Sequence, residues 1–229
     1  MRVFPLESAW TVGNKNAYGS RLSEAAARRR QAFIAAARDA FFTHGYGGTT
    51  MSGIAARVGG SKTTLWSYFS SKEQLFAAVV DDIIELYGAA LSVPLPVDEP
   101  PQLVLERFGY ALVATMASQP VLRLHRLVIG EAERFPALAQ VLYEKGLRRG
   151  RARLKNYFMS LMALGRLRDG DPGRAAAQFV GLVQRDRFHL QLLGQSDDSG
   201  ESSEEVADAV TVFLAFWSNE PLQHDGRAS

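Results

Sequence analysis

The chain has 229 residues, of which 47% are hydrophobic, 10% aromatic and 22% charged, and it contains no cysteine. These proportions suit one large or two small packed domains and exclude a disordered chain, a disulfide framework, a thiolate metal site and a cysteine nucleophile. The formal net charge of +2 conceals a division: residues 1–80 hold ten Lys and Arg against four acids, a net of +6, and the remainder stands at −4. A basic N-terminal third suits a polyanion, with a merely solvated basic face as the other reading.

Residues 1–21 carry neither a hydrophobic period nor a signal-peptide pattern and are expected as a flexible tail. The longest apolar runs, such as Val210 to Trp217, fall far short of the ~20 residues of a membrane span. A soluble, cytoplasmic chain with no membrane partner is therefore expected. A helical pattern starts at Leu22, where Phe33, Ala37 and Phe41 recur every fourth residue with Ile34 and Ala40 beside them, while Arg29, Arg38 and Asp39 face away. Gly45 is expected to end this helix. Thr50 can N-cap a second helix over Met51–Val58, Gly59-Gly60 break it, and Ser61 can cap a third from Lys62 to about Phe69. Ser70-Ser71-Lys72-Glu73 reads as a capping box with Ser70 at the N-cap and Glu73 at N3. It opens a longer helix with an apolar stripe of Leu75, Phe76, Val79, Ile83, Leu86 and Tyr87.

The four prolines between Ser92 and Pro101 make the clearest linker-like break. Further helices are predicted over Leu103–Ser118, over Val121–Phe135 and from Ala137 to about Leu164, the last interrupted near Gly146 or Gly150. Another runs from Pro172 to about Leu193, with Asp171 as N-cap. A final one, opened by a Ser202/Glu205 capping box, ends near Ser218. No strand alternation or internal repeat is evident. The predicted fold class is all-α, with about nine helices.

The second and third helices, each about two turns long and joined by a three-residue turn containing Gly, match the helix-turn-helix pattern. Neither is stable alone, so Ile54, Ala55, Val58, Leu65 and Phe69 must tie them to the long helices on either side. The third helix offers Lys62, Thr63, Thr64, Trp66, Ser67 and Tyr68 and no acid, which suits the donors, acceptors and methyl groups of a major groove. Lys72 and the free N–H groups at the start of the next helix are expected near a phosphate. Arg21 and the Arg28-Arg29-Arg30 cluster either reach the adjacent minor groove and phosphates or remain solvated.

The run from Arg30 to Val80 resembles the DNA-binding domain of the TetR/AcrR family of bacterial transcriptional regulators. The matching residues are Ala36-Ala37 with Ala40-Phe41, Gly45-Tyr46, Thr49-Thr50, Ile54-Ala55, Gly59 and Ser61, then Thr64-Leu65-Trp66, Tyr68-Phe69, Ser71-Lys72 and Leu75. The resemblance implies a three-helix DNA-binding domain (22–72), a helical effector-binding and dimerisation domain (73–219) and a C-terminal tail (220–229). It further implies a homodimer on a near-palindromic double-stranded operator, released by a small-molecule effector. Thr50, Tyr68 and Lys72 would hold phosphates, Lys62, Thr63, Thr64 and Ser67 would lie near bases, and Thr49 and Arg28 are grouped with them. Three positions depart from the family pattern: Gly53 where an acid is common, Gly60 where Val or Ile packs, and Trp66 where Tyr is usual. The two glycines are expected to loosen the second helix and its turn by roughly 0.5–1 kcal/mol each. Trp66 either meets a phosphate through its indole N–H or only packs.

In the C-terminal part, Tyr110, Met116, His125, Tyr143, Tyr157 and Met162 lie among aliphatics at helical spacing. Each by itself reads as core; as a set they suit a largely apolar effector pocket. Leu124 to Tyr143, including Gly130 to Pro136, resembles the effector domain of the TetR branch linked to efflux control. Phe179, Leu182, Val183 and Leu190 in the penultimate helix, with Val210, Phe213, Phe216 and Trp217 in the last, are expected at a dimer interface. Asp186 falls within the first stripe and is expected either to pair with Arg185, Arg187 or His189 or to lie at a solvated edge. No cofactor or metal is expected: the four histidines (His44, His125, His189, His224) show no metal-ligand spacing, and no phosphate loop or nucleophile elbow is present. An enzyme is thus disfavoured, and a helical protein–protein adaptor that does not bind DNA is the main alternative.

Overall fold

The computed structural model describes residues 12–195 and 202–219, with side chains from residue 23 and again from residue 204. The described chain is all-α, as expected; a lone bridge between Leu167 and Ser218 stands outside the helices. It divides into two compact units, residues 1–79 and 80–229, and the division falls inside the fourth helix. No helix among the described residues is long and apolar enough to cross a membrane.

The first unit contains α1 (Val12–Gly48), α2 (Met51–Arg57), α3 (Lys62–Tyr68) and the first half of α4 (Lys72–Tyr87). Helix α1 begins at Val12, ten residues before the start expected from periodicity, while residues 1–11 of the expected tail lie outside the described residues. Its backbone breaks at Gly45 (φ 73°, ψ 168°), and one more turn follows. Phe33, Ile34, Ala37, Ala40 and Phe41 are buried as the four-residue recurrence requires. Phe41, Tyr46 and Phe76 form a triangle of rings with centroids 5.4–5.8 Å apart. Ile54 of α2 and Leu65 of α3, both fully buried, anchor the two short helices. Their exposed faces therefore need not contribute to packing.

In the second unit, α4 ends at Tyr87, followed by a 3-10 turn (Ala89–Leu91), α5 (Pro101–Ala117), α6 (Gln119–Glu131) and α7 (Pro136–Leu142). A π-helical turn (Tyr143–Leu147) leads directly into α8 (Arg148–Ala163), and then come α9 (Pro172–Gln184), α10 (Arg187–Leu192) and α11 (Ser202–Trp217). Among the described residues there are eleven α-helices where about nine are expected, because two predicted helices are each divided. The first division is the π turn around Gly146, where Lys145 also pairs with Asp81 of α4 at 2.8 Å. The second was not foreseen: Arg185 (φ 42°, ψ −153°) separates α9 from α10. This backbone region is nearly reserved for glycine and costs an L side chain roughly 1–3 kcal/mol.

The unit's core joins α5, α8, α9 and α11. Phe158, Phe179 and Phe213 pack with centroids 5.0–6.3 Å apart, Phe158 stacked on Phe213 and Phe179 edge-on to both, and Trp217 closes the cluster. Helices α5 and α11 cross closely at Gly109, where a Cβ would stand 2.6 Å from Val206 Cγ1, so only glycine fits. The proline-rich stretch is not a free linker. Val93, Leu95 and Val97 pack on the core, Arg153 donates to the carbonyls of Ala90 (2.7 Å) and Val93, and Arg166 donates to that of Val97. Of the α4 stripe, Leu86 and Tyr87 are exposed. The side chain of Ser202, assigned to the last capping box, lies outside the described residues.

Candidate nucleic-acid interface and effector region

Each short helix of the first unit is capped as its sequence requires. Thr50 Oγ1 accepts the Gly53 N–H (3.1 Å), and Ser61 Oγ accepts the Thr64 N–H (3.0 Å). Between them Gly59 turns the chain at φ 67°, a left-handed step that needs no Cβ. At Gly60 a Cβ would stand 3.2 Å from Phe33 Cζ, so the ring edge fills the space that a branched side chain would take. Gly53 lies under the capping Thr50 hydroxyl, where an added Cβ would stand 3.2 Å from Oγ1.

These anchors leave one face of α3 open. Lys62, Thr63, Trp66 and Ser67 are exposed, Thr64 and Tyr68 half-buried, and Leu65 beneath them fully buried. The Tyr68 ring leans on Phe33, with centroids 5.8 Å apart. Trp66 is 41% exposed and so does not pack into the core. Arg28 is exposed and 3.6 Å from Glu24. The side chain of Arg21 lies outside the described residues.

Three expectations are corrected here. Thr49 is not on the open face: it is 4% exposed and its hydroxyl donates to the Gly45 carbonyl at 2.7 Å, closing the α1–α2 turn. The cap of α4 is shifted by one residue, with Ser71 Oγ accepting the Gln74 N–H (3.1 Å) and Gln74 Oε1 accepting the Ser70 N–H (3.1 Å). The first turn of α4 is also less open than expected. The Glu73 carboxyl is held below its usual range, first by its own backbone N–H and then by the Ser71 hydroxyl. Lys72 points back into the unit, donating to the carbonyls of Tyr46 (2.9 Å) and Thr49 (3.0 Å) with its ammonium 4.2 Å from the Tyr46 ring centroid. Burial and the neighbouring Glu73 raise the Tyr46 hydroxyl far above its ordinary pKa.

The second unit does not gather the six expected pocket residues. Tyr157 lies in the core, its hydroxyl unpartnered and pushed up to about 12 by burial, and Met162 packs beside that core. Tyr110 and Tyr143 are exposed. The residue periods were right, but helical period alone cannot distinguish a cavity wall from a core or a solvent face. Met116 lines a space of about 10 Å³ between α5, α9 and α10 that also touches Leu112, Val183, Gln184, Phe188 and Gln191. His125 stands next to it, its ring edge-on to Phe188 at 5.1 Å and its Nδ1–H donating to the Val121 carbonyl at 2.8 Å. Burial holds His125 below the ordinary histidine pKa.

A histidine that resists protonation in the folded state gains protons on unfolding, so stability is complete above its unfolded pKa, about 6.5, and falls as the pH drops below it. Thermal melting should fall between pH 7 and pH 5 in the wild type and fall less steeply in His125→Asn. Parallel curves would remove His125 as the cause.

The expected dimer residues divide into two groups. Phe179, Val183, Val210, Phe213 and Trp217 are buried in the protomer's own core, with Phe213 and Trp217 also forming the floor of the groove between α9 and α11. Leu182 and Leu190 are half-buried, and Phe216 is 52% exposed. Asp186 is exposed at the start of α10 and outside the stripe, because the break at Arg185 resets the helical phase. Between α9 and α11 an open groove of about 750 Å³ is lined by Gly181, Leu182, Arg185, Asp208, Val212 and Phe216. Of these, sequence reasoning missed Gly181, Asp208 and Val212.

Two capped helices with an open, acid-free face on the second, followed by a separate helical unit, are the arrangement of the helix-turn-helix class of proteins. Residues 33–79 match the model for bacterial regulatory proteins of the tetR family, and residues 103–219, half of the chain, match that for the AefR-like transcriptional repressor, C-terminal domain. The chain belongs to the TetR family of transcriptional regulators. It is 40% identical over 81 residues to the HTH-type transcriptional regulator RutR of Escherichia coli K12, a match covering 35% of this chain and 38% of RutR. It thus spans about two-fifths of the length of the curated relatives it matches. Among solved structures it is similar to the Flavonoid-responsive Regulator FrrA, at 31% identity and a TM-score of 0.77, over 85% of this chain and all of FrrA. A TetR-family regulator from Mesorhizobium loti has 30% identity and a TM-score of 0.71, over 84% of this chain and 98% of that one.

Proposed function

We propose that the chain is a homodimeric repressor that binds a near-palindromic operator and is released from it by a small, largely apolar effector. The observation that carries the reading is the open α3 face: four exposed side chains able to donate or stack, no acid, and a buried Leu65 that fixes the helix as a rigid probe. Residues 22–72 are the DNA reader and 73–219 the effector and dimer domain. Lys62, Thr63, Thr64 and Ser67 approach base edges, while Thr50, Tyr68 and the Trp66 indole approach phosphates with Arg28 beside them; Lys72 joins them by turning its ammonium outward from the Tyr46 and Thr49 carbonyls. Two copies join through the α9–α11 groove, whose Val212, Phe216 and Leu182 give an apolar centre and whose Arg185 and Asp208 give opposite charges for an isologous contact. The effector site centres on the α5–α9–α10 cavity, apolar at Leu112 and Val183 with Gln184 and Gln191 as polar handles. The flavonoid response of FrrA supports an effector of this general character.

Fluorescence anisotropy of the full-length protein with duplexes from the DNA flanking its own gene tests the reading. Binding should concentrate on one inverted repeat and weaken steeply with salt, the log–log slope growing by about 0.9 for each phosphate neutralised. Lys62→Ala or Thr64→Ala should relax the preference at one base pair by roughly 1–3 kcal/mol. A chain that ignores every duplex at low salt would instead be a helical adaptor.

A further inference from the structure

We propose that α10 is a hinged gate over the cavity between α5 and α9, turning on Arg185 and Gly194, and that Arg126 is the latch that holds it shut. The effector reading above supplies the gate's use; the gate itself rests on the local geometry. The cavity, at about 10 Å³, has room for about one water, so nothing of effector size enters unless a wall moves. Helix α5 is fixed by Val104, Leu105 and Phe108, all in the core. Helix α9 is fixed by Phe179 and Val183, both in the core. Helix α10 differs from both: its six residues include none that is buried.

Both ends of α10 have joints. Arg185 is the one non-glycine residue with positive φ among those described, and Gly194 follows α10 at φ 77°. The closed position therefore strains the backbone at Arg185, and something must offset that strain. Arg126 of α6 does so, donating Nε–H to the Leu192 carbonyl at 2.8 Å and a second guanidinium N–H to the Gln191 carbonyl. The last carbonyls of a helix lack intrahelical donors; the guanidinium satisfies that of Leu192 and adds a second donor to that of Gln191, which the Gly194 N–H already reaches at 3.1 Å. Two weaker contacts assist: the His125 edge on Phe188, and Arg187 at 3.7 Å from Glu205 of α11.

Hydrogen exchange on the full-length protein tests the gate through the α10 amides at its joint, those of Gly194 and Gln195, whose bonds to the Gln191 and Leu190 carbonyls lie at and across the Gly194 hinge. Arg126→Gln should speed these amides about tenfold and leave those of α5 and α9 unchanged, with Arg126→Lys behaving similarly because an ammonium lacks the planar fork. Arg185→Gly should act in the opposite direction and slow the same amides about threefold, since glycine occupies that backbone region without strain. Unchanged α10 exchange in Arg126→Gln, acceleration shared equally by α5 and α9, or faster exchange in Arg185→Gly would each overturn the proposal. The anionic, amphiphilic dye 1-anilinonaphthalene-8-sulfonate, which fluoresces in apolar sites, provides a separate readout of the site. Faster dye uptake in Arg126→Gln, alongside the amide changes, supports gate and site together. Amide changes without dye uptake leave the gate standing and remove the effector site from this cavity, whereas equal dye uptake with unmoved α10 amides removes the gate.

Discussion

Phe213→Ala should lower the unfolding free energy by about 3–5 kcal/mol, whereas Phe216→Ala, three residues further along α11, should cost about 1 kcal/mol or less. Phe213 is 1% exposed and stacks at 5.0 Å on Phe158 and edge-on at 5.3 Å to Phe179. Removing its ring leaves a cavity among aromatics that cannot collapse. Phe216 is half-exposed and lies under the Arg168 guanidinium at 3.2 Å, a contact of modest worth near solvent. In subunit association the order reverses. Phe216 lies in the α9–α11 groove among apolar neighbours, and an aromatic anchor there should cost about 2 kcal/mol of dimer stability when truncated. Urea unfolding at one fixed protein concentration and sedimentation equilibrium separate the two effects. A Phe213→Ala protein that unfolds like the wild type yet is monomeric would return Phe213 to the interface.

Lys72→Gln should weaken binding to every duplex about tenfold and reduce the salt slope by about 0.9 per subunit, the signature of one lost phosphate contact. The ammonium also bridges the Tyr46 and Thr49 carbonyls, so some loss of thermal stability accompanies the change. The slope separates the two roles. Weaker binding with an unchanged slope and a lower melting temperature would make Lys72 a brace for the α1–α2 turn, acting on DNA only through the position of α2.

The helix-turn-helix was legible because its signals are local. Thr50 and Ser61 each cap the helix that follows them, Gly59 makes the turn, and the recurrence of Phe33, Ala37 and Phe41 identifies the buried face. The missed cap at α4 differs by one residue, since Ser70 and Ser71 offer the same hydroxyl and only the packing of Leu75 and Phe76 chooses between them. Thr49 was grouped with its neighbour Thr50, yet the sequence cannot reveal that its hydroxyl turns inward to Gly45. The break at Arg185 was illegible for a different reason. Neither proline nor glycine marks it, and the demand that both α9 and α10 pack, on different neighbours, exists only in three dimensions. The predicted pocket failed because Tyr157 and Met116 have the same spacing grammar but opposite surroundings.

The π-helical turn at Tyr143–Leu147 has a bearing on chain length. Leu142 and Leu161, buried on either side of it, are nineteen positions apart, which in an uninterrupted α-helix would set them roughly 100° out of phase. The wide turn absorbs one surplus residue, which offsets a phase difference of that size. A chain shortened by one residue in this stretch, at Gly146 for example, can rewind into an unbroken rod with its apolar seam aligned, whereas a one-residue insertion elsewhere in α8 would turn the seam outward. Single-residue length differences between homologues should therefore collect here.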